Sequence, residues 1–278
     1  MNKKRKSLFS FSAWLAIALL LCGCSQKEKK NVANPIQFQT YTLQKEFKGD
    51  SIIPPIAVDL RVEYPTQYPD RTILKKIQLA VLRSVLGDKA INNPADEMEK
   101  MAENIINEHK EKIMELTNNP QIEDGDCLSN TYHQTSQEVL FNQDGILTIQ
   151  TADSSHYGGS KGIKFLYYNN FDLKTGNDLK YSDLFIEDSE EMLSSFIIQK
   201  LMVDNQIEDE SQLEENGFID LSEIKPINNF KLDTDGITFV YNPSEIACLA
   251  LGIIKVTLSY EEIRLLMKEG SLLSKFVD

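Results

Sequence analysis

Apolar residues recur along this chain at two spacings, and the spacing changes several times. Ile56, Val58, Leu60, Val62 and Tyr64 alternate with polar neighbours, which predicts a strand with one buried face, closed by Pro65. A helical period follows over about 71–86, with Ile73, Leu74, Ile77, Val81 and Val85 on one face and Gly87 as the stop. A second helix opens at Asn93-Pro94, where Asp96 and Glu97 favour the positive end of its dipole. Met98, Met101, Ile105, Ile113 and Leu116 form its apolar stripe, with His109 beside it as a boundary residue.

Past Pro120 the period shortens to two. Val139–Phe141 and Ile146–Ile149 flank Asp144-Gly145, a hairpin signal, and Lys164 to Phe171 reads as another strand that ends in the turn Leu173-Lys-Thr-Gly176. Glu190 to Val203 returns to a helical period. Asp235-Gly236 then marks a second hairpin, before Ile237–Tyr241. The last strand, Ile253 to Leu258, runs into Ser259-Tyr-Glu-Glu262, a capping box that opens a final helix. Strands and helices cluster rather than alternate strictly. The expected class is α+β, with mostly antiparallel sheets, helices packed on one face and two intimately packed subdomains, 35–125 and 126–278.

The N-terminus changes the picture of where the chain resides. Lys3, Lys4, Arg5 and Lys6 precede an apolar run from about Leu8 to Leu21, and no acidic residue occurs before Cys24. That is a secretory signal over 1–23, with a hydrophobic stretch short for a membrane span. It ends in Leu21-Cys22-Gly23-Cys24, which resembles the lipoprotein signal in which the final cysteine is acylated. Cys24 is therefore the expected lipid anchor, and the polar segment 24–34 the tether. Ser25 after the cysteine points to the outer membrane, with the protein facing the periplasm. Loss of residues 1–23 removes four of the 29 basic side chains, leaving 25 Lys and Arg against 42 Asp and Glu, a net charge of −17. Such a balance excludes nucleic acid and an anionic bilayer surface as natural partners and favours encounter with cationic proteins.

Candidate chemistry is sparse. Cys127 and Cys248 are the other thiols of the processed chain, either paired as a disulfide in an oxidising envelope or buried and free. No Gly-x-Ser-x-Gly, His-Glu-x-x-His or phosphate-loop pattern occurs, and His109, His133 and His156 are the only histidines, so neither a metal site nor a cofactor is expected. The run Ser155-His-Tyr-Gly-Gly-Ser-Lys-Gly162 is either an anion cradle aided by Lys161 or a tight connection between strands. Phe165, Tyr167, Tyr168 and Phe171 read as core rather than as a sugar platform.

Three segments in this order, Tyr157-Gly-Gly-Ser-Lys-Gly, Tyr168-Asn-Asn-Phe-Asp-Leu-Lys-Thr-Gly176 and Tyr241-Asn-Pro-Ser-Glu-Ile-Ala247, carry a resemblance. Residues 127–270 resemble domain of unknown function 3298, the extracellular part of RsiV-type anti-sigma factors, which also occurs beside PdaC-type polysaccharide deacetylases. Residues 36–120 are similar to its partner domain, number 4163. The resemblance implies a binding domain, since the RsiV branch senses lysozyme by holding it. Lys161 stands where the family usually has His, and Cys248-Leu-Ala where Pro-Tyr-Ala is common. Signalling to a cytoplasmic sigma factor is not expected, because no sigma-binding segment precedes the signal sequence. The expectation is a non-enzymatic envelope lipoprotein that binds a cationic cell-wall-active protein such as lysozyme, or a cell-wall glycan, through a rim around His156, Tyr157, Lys161 and Tyr241. The alternatives are a carbohydrate-modifying hydrolase with paired carboxylates and a structural subunit of an envelope complex.

Overall fold

The computed structural model describes residues 36–87, 93–117, 131–156 and 162–277. These lie in one compact unit, Val32–Asp278; the other unit, Met1–Asn31, falls outside the described residues, and with it Cys24. No helix among the described residues is long and apolar enough to cross a membrane.

Strands β1 (Gln37–Phe47) and β2 (Ile56–Gln67) form an antiparallel pair. The alternation read from the sequence places Ile56, Val58, Leu60 and Val62 on one face of β2, each at most 2% exposed. Helices α1 (Arg71–Leu86) and α2 (Pro94–Thr117) cover that face with Ile77, Val81, Val85, Met98, Ala102 and Ile105. Asp70 caps α1 by accepting from the amides of Thr72 and Ile73, and Gly87, at φ 88°, ends it.

The helices return the chain to β3 (Thr131–Gln143), which pairs parallel to β2. Strands β4 (Ile146–His156), β5 (Ile163–Asp172) and β6 (Asn177–Asp178) complete a six-stranded sheet in sequence order, antiparallel after β3. The expected subdomain boundary at 125/126 falls outside the described residues, between α2 and β3. Hydrogen bonding between β2 and β3 makes both halves one sheet.

A second core lies beyond this sheet. It gathers the short helix α3 (Tyr181–Leu184), then α4 (Glu190–Asp204) and α5 (Ser211–Glu215). A three-stranded antiparallel sheet, β7 (Phe230–Leu232), β8 (Gly236–Tyr241) and β9 (Ile254–Ser259), follows, then α6 (Tyr260–Ile263). The capping box expected at Ser259 and Glu262 forms, although its α-helix lasts only one turn before becoming a 3-10 turn.

Strand β4 serves both cores. Leu147 and Ile149 point into the helix-covered cluster, while Ile146 joins the C-terminal one. Strand β3 changes sides by a bulge between Val139 and Phe141: Val139 packs with the helices, Phe141 enters the C-terminal core, and Leu140 is pushed out at 41% exposure. Glu63 accepts the Val139 amide freed by the bulge at 2.9 Å.

Candidate functional site

The two sheets meet along β5, whose outer edge is fastened by side-chain amides instead of a strand. Asn242 accepts from the Leu166 N–H at 2.7 Å and donates to the Leu166 carbonyl at 3.0 Å. Asn229 accepts from the Tyr168 N–H at 2.9 Å and bridges the carbonyls of Leu166 and Val240. Further along, Asn170 accepts from the Leu232 N–H and donates to the Phe230 carbonyl at 2.6 Å, and Thr148 donates to both Asn170 and the Leu232 carbonyl. Every buried backbone group on an unpaired edge needs such a partner.

At the far end of β4 and the start of β5 this junction opens into a cleft of 820 Å³. Ser155, His156, Gly162, Ile163 and Lys164 line one wall, and Pro243, Leu249, Ala250, Gly252 and Ile253 the other. His156 is half-buried, its ring stacked on Tyr132 at 5.7 Å between centroids and 13° between planes. Tyr132 is itself 42% exposed, and its hydroxyl lies so near the backbone at Gly162 that a Cβ there would come within 2.6 Å of it. Gly162 is thus required by close approach. On the opposite wall Leu249 is 59% exposed, on the 3-10 turn Leu249–Leu251. Tyr132 also borders a smaller depression of 490 Å³ that includes Glu46 and Asp59.

Of the residues expected to form a binding rim, the structure places His156 in the cleft wall. Tyr157 and Lys161 lie outside the described residues. Tyr241 is a correction: it is 1% exposed, because β8 is the central strand of its sheet and buried on both faces. Its hydroxyl donates to the Lys225 carbonyl at 2.7 Å, and burial, with the Glu245 charge, lifts the phenol well above its ordinary range. Cys248 is exposed, and Cys127 lies outside the described residues, which leaves their pairing untested. Phe171 and Tyr168 are core as expected. Tyr167 is 46% exposed and stacks on Phe165 at 6.4 Å, since the helices do not extend over this end of β5.

A second polar constellation lies under α2. His133 Nε2 sits 3.0 Å from the Thr135 hydroxyl and 3.3 Å from Asp153, and Thr135 donates to Asp153 at 3.2 Å. His109 Nδ1 is 3.4 Å from the Thr131 hydroxyl. Its ring is 2% exposed, and burial, then the charges of His133 and Lys112, push its pKa down to about 4. A neutral His109 at physiological pH packs α2 against the sheet. Among the described residues no three His, Cys, Asp or Glu side chains gather as metal ligands.

The asparagine fasteners, the Tyr132–His156 stack and the 3-10 turn at Leu249 were not legible in the sequence. Asparagine reads as a turn former, and stacking partners more than twenty residues apart leave no periodic signal.

Residues 182–261, from α3 to α6, match the family described as "Protein of unknown function (DUF3298)". A crystal structure of a DUF3298 family member from Bacteroides fragilis is 23% identical with a TM-score of 0.77, over 87% of this chain and 97% of that one. A DUF3298 family protein from Pseudomonas aeruginosa is 17% identical with a TM-score of 0.52, over 84% of this chain and 96% of its own. No curated protein matches the chain.

Proposed function

Since the chain carries a DUF3298 domain at residues 182–261 and shares its fold with solved members of that family, we propose that it is a non-enzymatic binding module of the cell envelope. In this reading Cys24 bears the lipid, the outer membrane holds the anchor, and the folded body faces the periplasm. The observation that carries the proposal is the cleft between β4–β5 and the 243–253 segment. It sets His156, whose ring is stacked on the neighbouring Tyr132, against solvent-facing Leu249, an arrangement with more apolar exposure than a closed surface needs.

A cell-wall glycan fits the cleft itself, because sugar rings offer apolar faces to stacked rings and Lys164 in the wall repels cations. A cationic cell-wall-active protein such as lysozyme is the second ligand, favoured by the net charge of −13 and by the depression holding Glu46 and Asp59. Co-sedimentation of the purified chain with peptidoglycan sacculi, beside a lysozyme titration across a salt series, separates the two. Retention on sacculi at physiological salt supports the glycan. Lysozyme affinity that survives physiological salt supports the protein ligand, whereas affinity lost with modest salt is charge attraction alone. Binding of neither removes the proposal.

A further inference from the structure

We propose that Lys164 and Lys255 form a subsite for an anionic group carried on a sugar-based polymer, an inference that rests on the glycan reading of the cleft. The strand registers bring the two lysines to one place. Lys164 lines the cleft and stands two residues before Leu166 on the same face of β5. Lys255 stands two residues after Ile253, another lining residue, and pairs across the sheet with Val240. Leu166, Val240 and Ile253 pack together with Ala152 and Tyr168 in one small apolar cluster, so both lysines flank the same cluster.

Lys231 adds a third cation, opposite Thr238 on the far side of β8, but Asp233 already pairs with it at 2.6 Å. Among the described residues Lys164 and Lys255 have no such ion pair. The proximity has an electrostatic consequence: partial burial and then the charges of Lys231 and Lys164 lower the pKa of Lys255. Two like charges held together without a counter-ion, in a chain of net charge −13, are relieved by an anion placed between them. Thr257 is exposed on the same face, hydrogen-bonded to Thr238 at 2.9 Å, and offers a neutral hydroxyl beside the charges. The site therefore combines two ammonium groups and a hydroxyl with an adjoining apolar wall, the combination that an acidic sugar requires.

The test measures anisotropy of three labelled probes with the full chain. They are a muramyl-containing oligosaccharide with free carboxylates, the same oligosaccharide with its carboxylates amidated, and a glycerol-phosphate oligomer. The expected result is that at least one anionic probe binds about tenfold or more tightly than the amidated one, and that this preference falls about tenfold in K164Q/K255Q. Which anionic probe wins identifies the source as carboxylate or phosphate. K164R/K255R should retain the preference, and K200Q, on α4 and paired with Asp204, should leave it unchanged. Equal affinity for all three probes, or a preference untouched by K164Q/K255Q, overturns the subsite while leaving the binding module standing. Absence of any probe binding also overturns it, and the sacculus assay then decides separately whether the glycan reading survives.

Discussion

The N–H of Leu166 and that of Tyr168 leave β5 on the side away from β4 and meet the amides of Asn242 and Asn229, where another strand would ordinarily lie. Asn242 sits in the Tyr-Asn-Pro segment that carries the family resemblance, and Asn170, which bonds Phe230 and Leu232, in the Tyr-Asn-Asn segment, so the structure gives both segments a fastening role. Asn242→Leu removes the partner of the Leu166 N–H, while the Leu166 carbonyl keeps its bond from Asn229, and is expected to cost about 1–3 kcal/mol, read as a lower urea midpoint with an unchanged m-value. His109 gives a second residue-scale prediction. Its folded pKa of about 4 lies below the ordinary 6.5, so the unfolded chain binds a proton that the folded chain refuses. Stability is therefore fully present above pH 6.5 and declines by about 3 kcal/mol as pH falls towards 4. His109→Gln should flatten the slope of urea stability against pH in that window. An unchanged slope would show that His109 is not responsible.

Elements with regular patterns were legible: the face of β2, the stripes of α1 and α2, both Asp-Gly hairpins and the Ser259–Glu262 capping box. Strand β1 was not. It is an edge strand whose apolar residues, such as Tyr41 and Leu43, are only partly buried, and a register shift at its start breaks the alternation. The face change of β3 was also hidden, because a bulge inserts one residue without any composition signal. This gives a prediction for the element. Leu140→Ser, at an exposed position, should shift stability by less than about 0.5 kcal/mol. Phe141→Ser should be far worse, because the bulge turns Phe141 into the C-terminal core, where truncation leaves a cavity. Thermal melts of the two variants compare them directly, and equal melting temperatures would contradict the role given to the bulge.

Across the whole molecule, two apolar cores share β4, and β2 and β3, on either side of the expected 125/126 boundary, pair in one sheet. Composition shifts show where a chain changes element type, not whether strands on either side hydrogen-bond. One cooperative urea transition is expected, with far-UV and near-UV circular dichroism superimposing; two separated transitions would restore independent domains. Function is the scale at which the sequence was least explicit. It offered His156 and the family resemblance, while the cleft is assembled from β4, β5 and the 243–253 segment, which only the fold brings together. The central claim is that this cleft binds the cell wall. The most direct test is co-sedimentation of the chain and its Leu249→Asp variant with peptidoglycan sacculi. Leu249 is exposed, so the substitution spares both cores. The account predicts retention of the parent chain and a loss of about tenfold or more in the variant; equal retention of the two would contradict it.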